Sequence, residues 1–161
     1  MLRVSIKLKP TMKFKIVSIL LGAALLTWAF AGEAPQSTQS RVIQIDHEKV
    51  AAGFASGSVL LLQTNNFKIQ TGRRDGTGQA EIHERDTDIF HVLEGTATFV
   101  TGGQATETNA VSPGEIRGKA ITGGEEHRLV KDDVIMVPSG VPHWFKETSS
   151  PFLYFVVKVS K

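Results

Sequence analysis

From Ser58 to the carboxyl terminus the chain is a succession of short runs, VLLLQT, FKIQTGRR, QAEIHE, DIFHVLEG, TATFVTGG, HRLVKDDVIMVP, VPHWFKE and FLYFVVKV, with Gly, Pro, Asn, Asp or Ser at most junctions. Successive side chains of a strand point to opposite faces, so runs that alternate apolar with polar residues read as half-buried strands. Short strands at this spacing, with almost no helix among them, predict an all-β antiparallel sandwich or small barrel. One helix is expected ahead of them, over His47 to Ser56: Asp46 is placed to cap it, Val50 and Phe54 fall one turn apart on one face, and Gly57 supplies a stop. The exception among the strands is QATETNAVSPGEIRGKAITGGEE, Gln104 to Glu126, a long polar connector with one proline and four glycines. A loop of that length in a compact domain is usually functional or disordered. Two readings stay open for it: a cover over one barrel mouth, or a surface excursion with a little strand of its own around Ile116 and Ile121.

The amino-terminal segment reads differently. Arg3, Lys7, Lys9, Lys13 and Lys15 precede the apolar run IVSILLGAALLTWAFA, and no acid occurs before Glu33. A basic start, an apolar run short of the ~20 residues that a membrane-spanning helix needs, and the small-x-small pattern Ala29, Phe30, Ala31 predict a signal peptide over residues 1–31. An uncleaved membrane anchor is the alternative. Residues 32–45 are expected to form a flexible leader and residues 46–161 a single barrel domain. Without residues 1–31 the chain keeps thirteen basic residues against sixteen acids, a formal charge of −3 in place of +2. No basic stripe remains to suggest nucleic acid. The absence of cysteine excludes disulfides, thiolate metal sites and a lipid-anchoring Cys. The expected product is exported, periplasmic or secreted, with no membrane association after cleavage.

Inside the strand pattern, Glu81 to Gly95 reads EIHERDTDIFHVLEG and holds two histidines and five carboxylates. Such groups on a half-buried surface need solvent, partners or a metal. Alternation places Gln79, Glu81 and His83 on one face of QAEIHE; ERDT then reads as a turn, and DIFHVLEG sets Asp88, Phe90 and Val92 opposite Ile89, His91 and Leu93. After the turn at Pro138 to Gly140, His143 and Phe145 share a face of a later strand. A barrel gathers ligands from neighbouring strands plus a near-alternate pair on one strand. Glu81, His83, Asp88 and His143 satisfy that geometry and are the candidate metal ligands. Two imidazoles with carboxylates and no sulfur suit a divalent ion such as manganese, iron, zinc or nickel. The plainer reading makes the histidines hydrogen-bonded lining residues and the carboxylates solvated rim groups. Arg73 and Arg74 end the preceding strand; Arg74 is the candidate to face the cavity and clamp a carboxylate or phosphate of a ligand. Phe90, Phe145 and Tyr154 are candidates to wall a small ligand pocket, with plain core as the alternative. His91, on the opposite face, suits packing or a subunit contact.

These residues also carry a resemblance. Glu81-Ile82-His83, four residues, Asp88, six residues and Gly95 keep the spacing of the first motif of the cupins, small double-stranded β-helix barrels, and Pro138, Gly140 and His143 meet the second, Pro-x-Gly-x-x-His. The chain resembles a cupin over about Gly78 to Glu147. Three positions depart from the family's pattern: Glu81 replaces the usual first histidine, Asp88 the usual glutamate, and Asp132 the glycine that usually opens the second motif. The resemblance implies a cupin barrel, a divalent metal in it, and a homodimer. A fold does not name a function. The readings carried forward are a metal-dependent oxygenase, isomerase or lyase acting on a small polar molecule, a non-catalytic periplasmic small-ligand-binding cupin, and a barrel without metal.

Overall fold

The computed structural model describes residues 41–161, of which Val42–Lys161 form one compact unit. The segment read as a signal peptide and most of the leader lie outside the described residues. A single helix, α1 (His47–Ser56), precedes thirteen strands: β1 Val59–Gln63, β2 Phe67–Arg74, β3 Ala80–His83, β4 Asp86–Glu94, β5 Ala97–Thr101, β6 Gln104–Thr106, β7 Asn109–Ser112, β8 Glu115–Gly118, β9 Ala120–Thr122, β10 Glu125–Leu129, β11 Val134–Val137, β12 His143–Thr148 and β13 Phe152–Ser160. Five form one sheet in the order β1-β2-β13-β4-β11, six form another in the order β10-β5-β12-β3-β8-β7, and β6 pairs with β9 as a separate ribbon. Every pairing is antiparallel. The all-β expectation with one short amino-terminal helix holds. No helix among the described residues is long and apolar enough to cross a membrane.

The two sheets face each other across an aromatic core. Phe90, Val92, Val137, Phe152, Tyr154 and Val156 come from the first sheet and Ala97, Phe99, Leu129 and Phe145 from the second. Phe145 is the hub, with its ring centroid 4.5 Å from that of Phe99 and 5.2 Å from that of Tyr154. Offset and edge-to-face pairs of this kind add about 0.5–1.5 kcal/mol each beyond the area they bury. Gly72 on β2 admits the ring of Tyr154, which a Cβ at that position would overlap. The helix closes part of the outer face of the first sheet: Gly53 is buried against Thr71, and Phe54 packs edge-on to Phe155 at 5.3 Å. Its first turn differs from expectation, because Asp46 makes no side-chain cap and instead accepts from Gln44 at 3.2 Å.

Three other details correct the sequence reading. The ERDT turn is shorter than four residues, since β3 ends at His83 and β4 already includes Asp86 and Thr87. HRLVKDDVIMVP is two strands in different sheets, β10 and β11, joined by a turn in which Val130 N–H donates to Asp133 Oδ2 at 2.8 Å. Within it Asp132 has φ = 73°, the left-handed conformation that short polar residues tolerate and glycine adopts freely. That explains why aspartate can stand where the family pattern has glycine. The connector is built rather than loose: β6 and β9 form a ribbon whose Ala105 and Ile121 pack on Ala80, Val100 and Trp144, while β8 extends the second sheet beside β3. The connector has strands of its own around Ile116 and Ile121, and β8 also contributes Glu115 and Arg117 to the wall of the inner cavity.

Candidate metal centre

The site forms where β3, β12 and β4 bring their inward faces together. His143 stands directly across from Glu81 in the β12–β3 register, and His83 follows two residues along β3 on the same face. One ligand atom from each of Glu81, His83 and His143 lies within 4.8 Å of the others. This is a group that could hold a metal ion. The imidazoles are 3 % exposed, and their centroids are 5.1 Å apart.

Each ring is oriented by its second nitrogen. His83 Nδ1 is 2.6 Å from Glu115 Oε2, and His143 Nδ1 is 3.1 Å from the Val141 carbonyl oxygen. Both partners are acceptors, so they draw the ring proton to Nδ1 and leave the Nε2 lone pairs facing the centre of the group. Neither Nε2 has a hydrogen-bond partner, although both are buried. The 3.3 Å approach of His83 Nε2 to Glu81 Oε2 is close without being aligned as a hydrogen bond. Orphaned buried nitrogens are rare unless a ligand or ion is meant to meet them. Burial pushes the pKa of His143 down, which the neighbouring charges of Asp88 and Glu81 only partly offset. Neutral imidazole is the form that binds metals.

Glu81 is ionised. Burial pushes its pKa up, but the contact with His83 and the positive charges of Arg117 and Arg74 more than offset this and hold it at about 2. Arg74 Nη2 lies 3.4 Å from Glu81 Oε1 and Arg117 Nη1 3.3 Å from Glu81 Oε2. Asp88 is placed differently. Its Oδ2 is 3.4 Å from His83 Nε2 and 3.7 Å from His143 Nε2, yet the same oxygen accepts from Lys158 Nζ at 2.6 Å, and the side chain is 2 % exposed. Of the four candidate ligands, Glu81, His83 and His143 gather as one group, while Asp88 gives Oδ2 to Lys158 and keeps a buried Oδ1 without a hydrogen-bond partner.

A cavity of about 330 Å³ opens beside Glu81, His83 and Asp88. Arg74 lines it, stacks 4.6 Å above the Phe145 ring and donates Nε–H to Tyr154 Oη at 3.2 Å. Arg73 points away and pairs with Asp75 at 3.0 Å. Phe90, Phe145 and Tyr154 are core and cavity wall at once. His91 is exposed on the far face of β4. Sequence reasoning missed Glu115, Arg117 and Lys158, which also line the cavity. A signal for the first two was present: in Glu115-Ile116-Arg117 the charged residues alternate, and β8 lies against β3 with Arg117 across from Glu81 and Glu115 across from His83.

A family model described as Cupin matches residues 36–161. Among solved structures, the chain is similar to hydroquinone 1,2-dioxygenase from Sphingomonas sp. TTNP3 with 4-hydroxybenzoate bound, at 14% identity and a TM-score of 0.52, over 74% of this chain and 80% of that one. It is also similar to an uncharacterized conserved protein with a double-stranded beta-helix domain from Klebsiella pneumoniae, at 15% identity and a TM-score of 0.48, over 77% of this chain and 88% of that one. A search among curated proteins returned no match.

Proposed function

The chain belongs to the cupin family, and from that premise we propose that its barrel binds one divalent metal ion and acts with it on a small polar molecule. Glu81, His83 and His143 would hold the ion. The observation that carries this reading is the pair of buried, unpartnered Nε2 atoms aimed at one space beside an ionised carboxylate. The donor set, two nitrogens and an oxygen without sulfur, suits manganese, iron, zinc or nickel. A bound ion of this class supplies Lewis-acid polarisation or, if it is redox-active, oxygen activation.

The protein's own contribution is recognition and exclusion of water. Arg74 is pre-positioned by Tyr154 and the Phe145 face, so its guanidinium can meet a carboxylate or phosphate with little ordering left to do. Phe90 and Phe145 close the floor with apolar rings, which strengthens polar contacts made above them. Fold alone does not choose among oxygenase, isomerase and lyase chemistry. The basic and apolar start of the chain supports export, so the working place is proposed to be the periplasm or the exterior.

The test is elemental mass spectrometry on the chain from Gly32, purified without a histidine tag, beside His83→Ala and His143→Ala. Near-stoichiometric metal in the parent, lost in both variants, is the expected result. A parent that stays empty after incubation with each candidate ion overturns the metal reading.

A further inference from the structure

We propose that the segment ahead of the helix, Val42 to Ile45, is an exchange arm that adds as a strand to the free edge of β11 in a second copy of the chain. Of the five most exposed large apolar side chains among the described residues, two stand on this segment, Val42 at 94% and Ile43 at 53%. Two more stand on β11, Val134 at 65% and Met136 at 57%. Val-Ile-Gln-Ile is uncharged and β-branched at three of its four positions, a composition that favours a strand. It takes no strand pairing in its own barrel. The edges of the two large sheets show why β11 is the acceptor. A strand with an unpaired side offers its N–H and C=O groups to another chain, and folded proteins blunt such edges with charges, bulges or a cover. β1 is bulged between Leu60 and Leu62 and gives the Leu61 carbonyl to Lys49 of the helix. β7 is bulged between Ala110 and Ser112, and β10 carries Glu125, Glu126 and Arg128. β11, Val-Ile-Met-Val, has neither charge nor bulge and pairs regularly with β4 on its one occupied side.

The reach of the arm decides whose β11 it meets. Lys49, in the first helical turn, donates to the Leu61 carbonyl at 2.8 Å, so the arm leaves the helix beside β1. β11 is at the other end of that sheet, beyond β2, β13 and β4, about 19 Å away at the usual strand spacing. Four residues extend about 14 Å. The arm falls short of its own β11 and meets one only in a neighbouring copy. Two copies related by a two-fold axis exchange arms reciprocally, which closes both edges and limits the assembly to a dimer.

The experiment uses the chain from Gly32 and reads mass by light scattering and amide hydrogen exchange at Val134–Val137. The parent is expected to be a dimer with slow exchange along β11. Val42→Ser/Ile43→Ser removes the two exposed side chains of the arm and should weaken the dimer about a hundredfold, with faster exchange at β11 in the monomer that results. Ile43→Pro and Gln44→Pro separate backbone pairing from apolar contact. Their N–H groups point to opposite sides of a strand, so one of the two prolines should weaken the dimer about tenfold more than the other. The arm lies outside the barrel, and circular dichroism of each variant should match the parent. A monomeric parent overturns the proposal. A dimer whose affinity and β11 exchange ignore the serine pair also overturns it, while leaving a face-to-face dimer standing. Assemblies of more than two copies overturn reciprocal exchange. None of these readouts depends on a bound ion, so the metal reading stands or falls separately.

Discussion

Glu115 shows how much a single side chain can decide without touching an ion itself. Its carboxylate, 2.6 Å from His83 Nδ1, sets both the tautomer and the tilt of that ring. Replacing it with glutamine preserves the shape but weakens the acceptor and presents an amide that can turn its donor to the ring. Such outer partners typically contribute 10- to 100-fold to metal affinity. Glu115→Gln is therefore expected to weaken metal binding about tenfold with little change in the melting temperature of the metal-free protein. Competition with a chromophoric chelator measures the first and a thermal melt the second. Unchanged affinity would mean that the ring is held by packing alone. The histidine and Glu81 positions were legible in the sequence because a two-residue period places Glu81 with His83, and a turn signal fixes the start of the strand that carries His143. Lys158 was not legible. It lies in PFLYFVVKV, a run apolar on both faces, where nothing local marks which residue across the sheet it will meet.

At the level of elements, the strands were readable and their partners were not. Alternation finds a strand, while pairing between β3 and β8 depends on how the intervening chain travels. The connector illustrates the limit: Pro113-Gly114 and Gly118 bracket a strand of four residues, too short to display a period. HRLVKDDVIMVP failed for the opposite reason, since Lys131, Asp132 and Asp133 turn the chain with no glycine or proline to mark the break. Asp86 carries the prediction that belongs here. It accepts from Ser160 Oγ at 2.7 Å and from Lys68 Nζ at 3.1 Å, fastening the start of β4 to the end of β13 and to β2. Burial raises its pKa, but these two bonds and the nearby lysine charges more than offset that, so the folded value is lowered. An acid depressed on folding stabilises above its unfolded pKa, about 3.9, and the benefit is lost as pH falls through the folded value. Asp86→Asn should thus cost about 2 kcal/mol near neutral pH and progressively less in acid below about pH 4. Urea unfolding at the two pH values checks this, and a penalty independent of pH would refute the ionic account.

For the molecule as a whole, the outer face of the first sheet is the feature without an internal explanation. Ile69, Val157, Ile89 and Met136 stand in one register row across four strands, with Val134 beside them; Met136 is 57% and Val134 65% exposed. Apolar rows of this kind mark contact surfaces more often than chance placement. The homodimer that family membership suggests is proposed to use this face, and light scattering should find a dimer that Met136→Glu converts to monomer. A monomeric parent would dismiss it. The position of the site has a consequence of another kind. Glu81 and His143 meet only across the β3–β12 register, and the oxygen acceptor for His83 arrives on a third strand. No stretch of the unfolded chain contains the cluster, as a helix with two histidines one turn apart would. Ion capture must then follow folding. The choice of ion passes from affinity ranking to supply: whichever compartment the chain folds in offers the ions from which the site is filled. A chain threaded unfolded across a membrane would take its metal from the far side, and one folded beforehand would carry a cytosolic ion out with it.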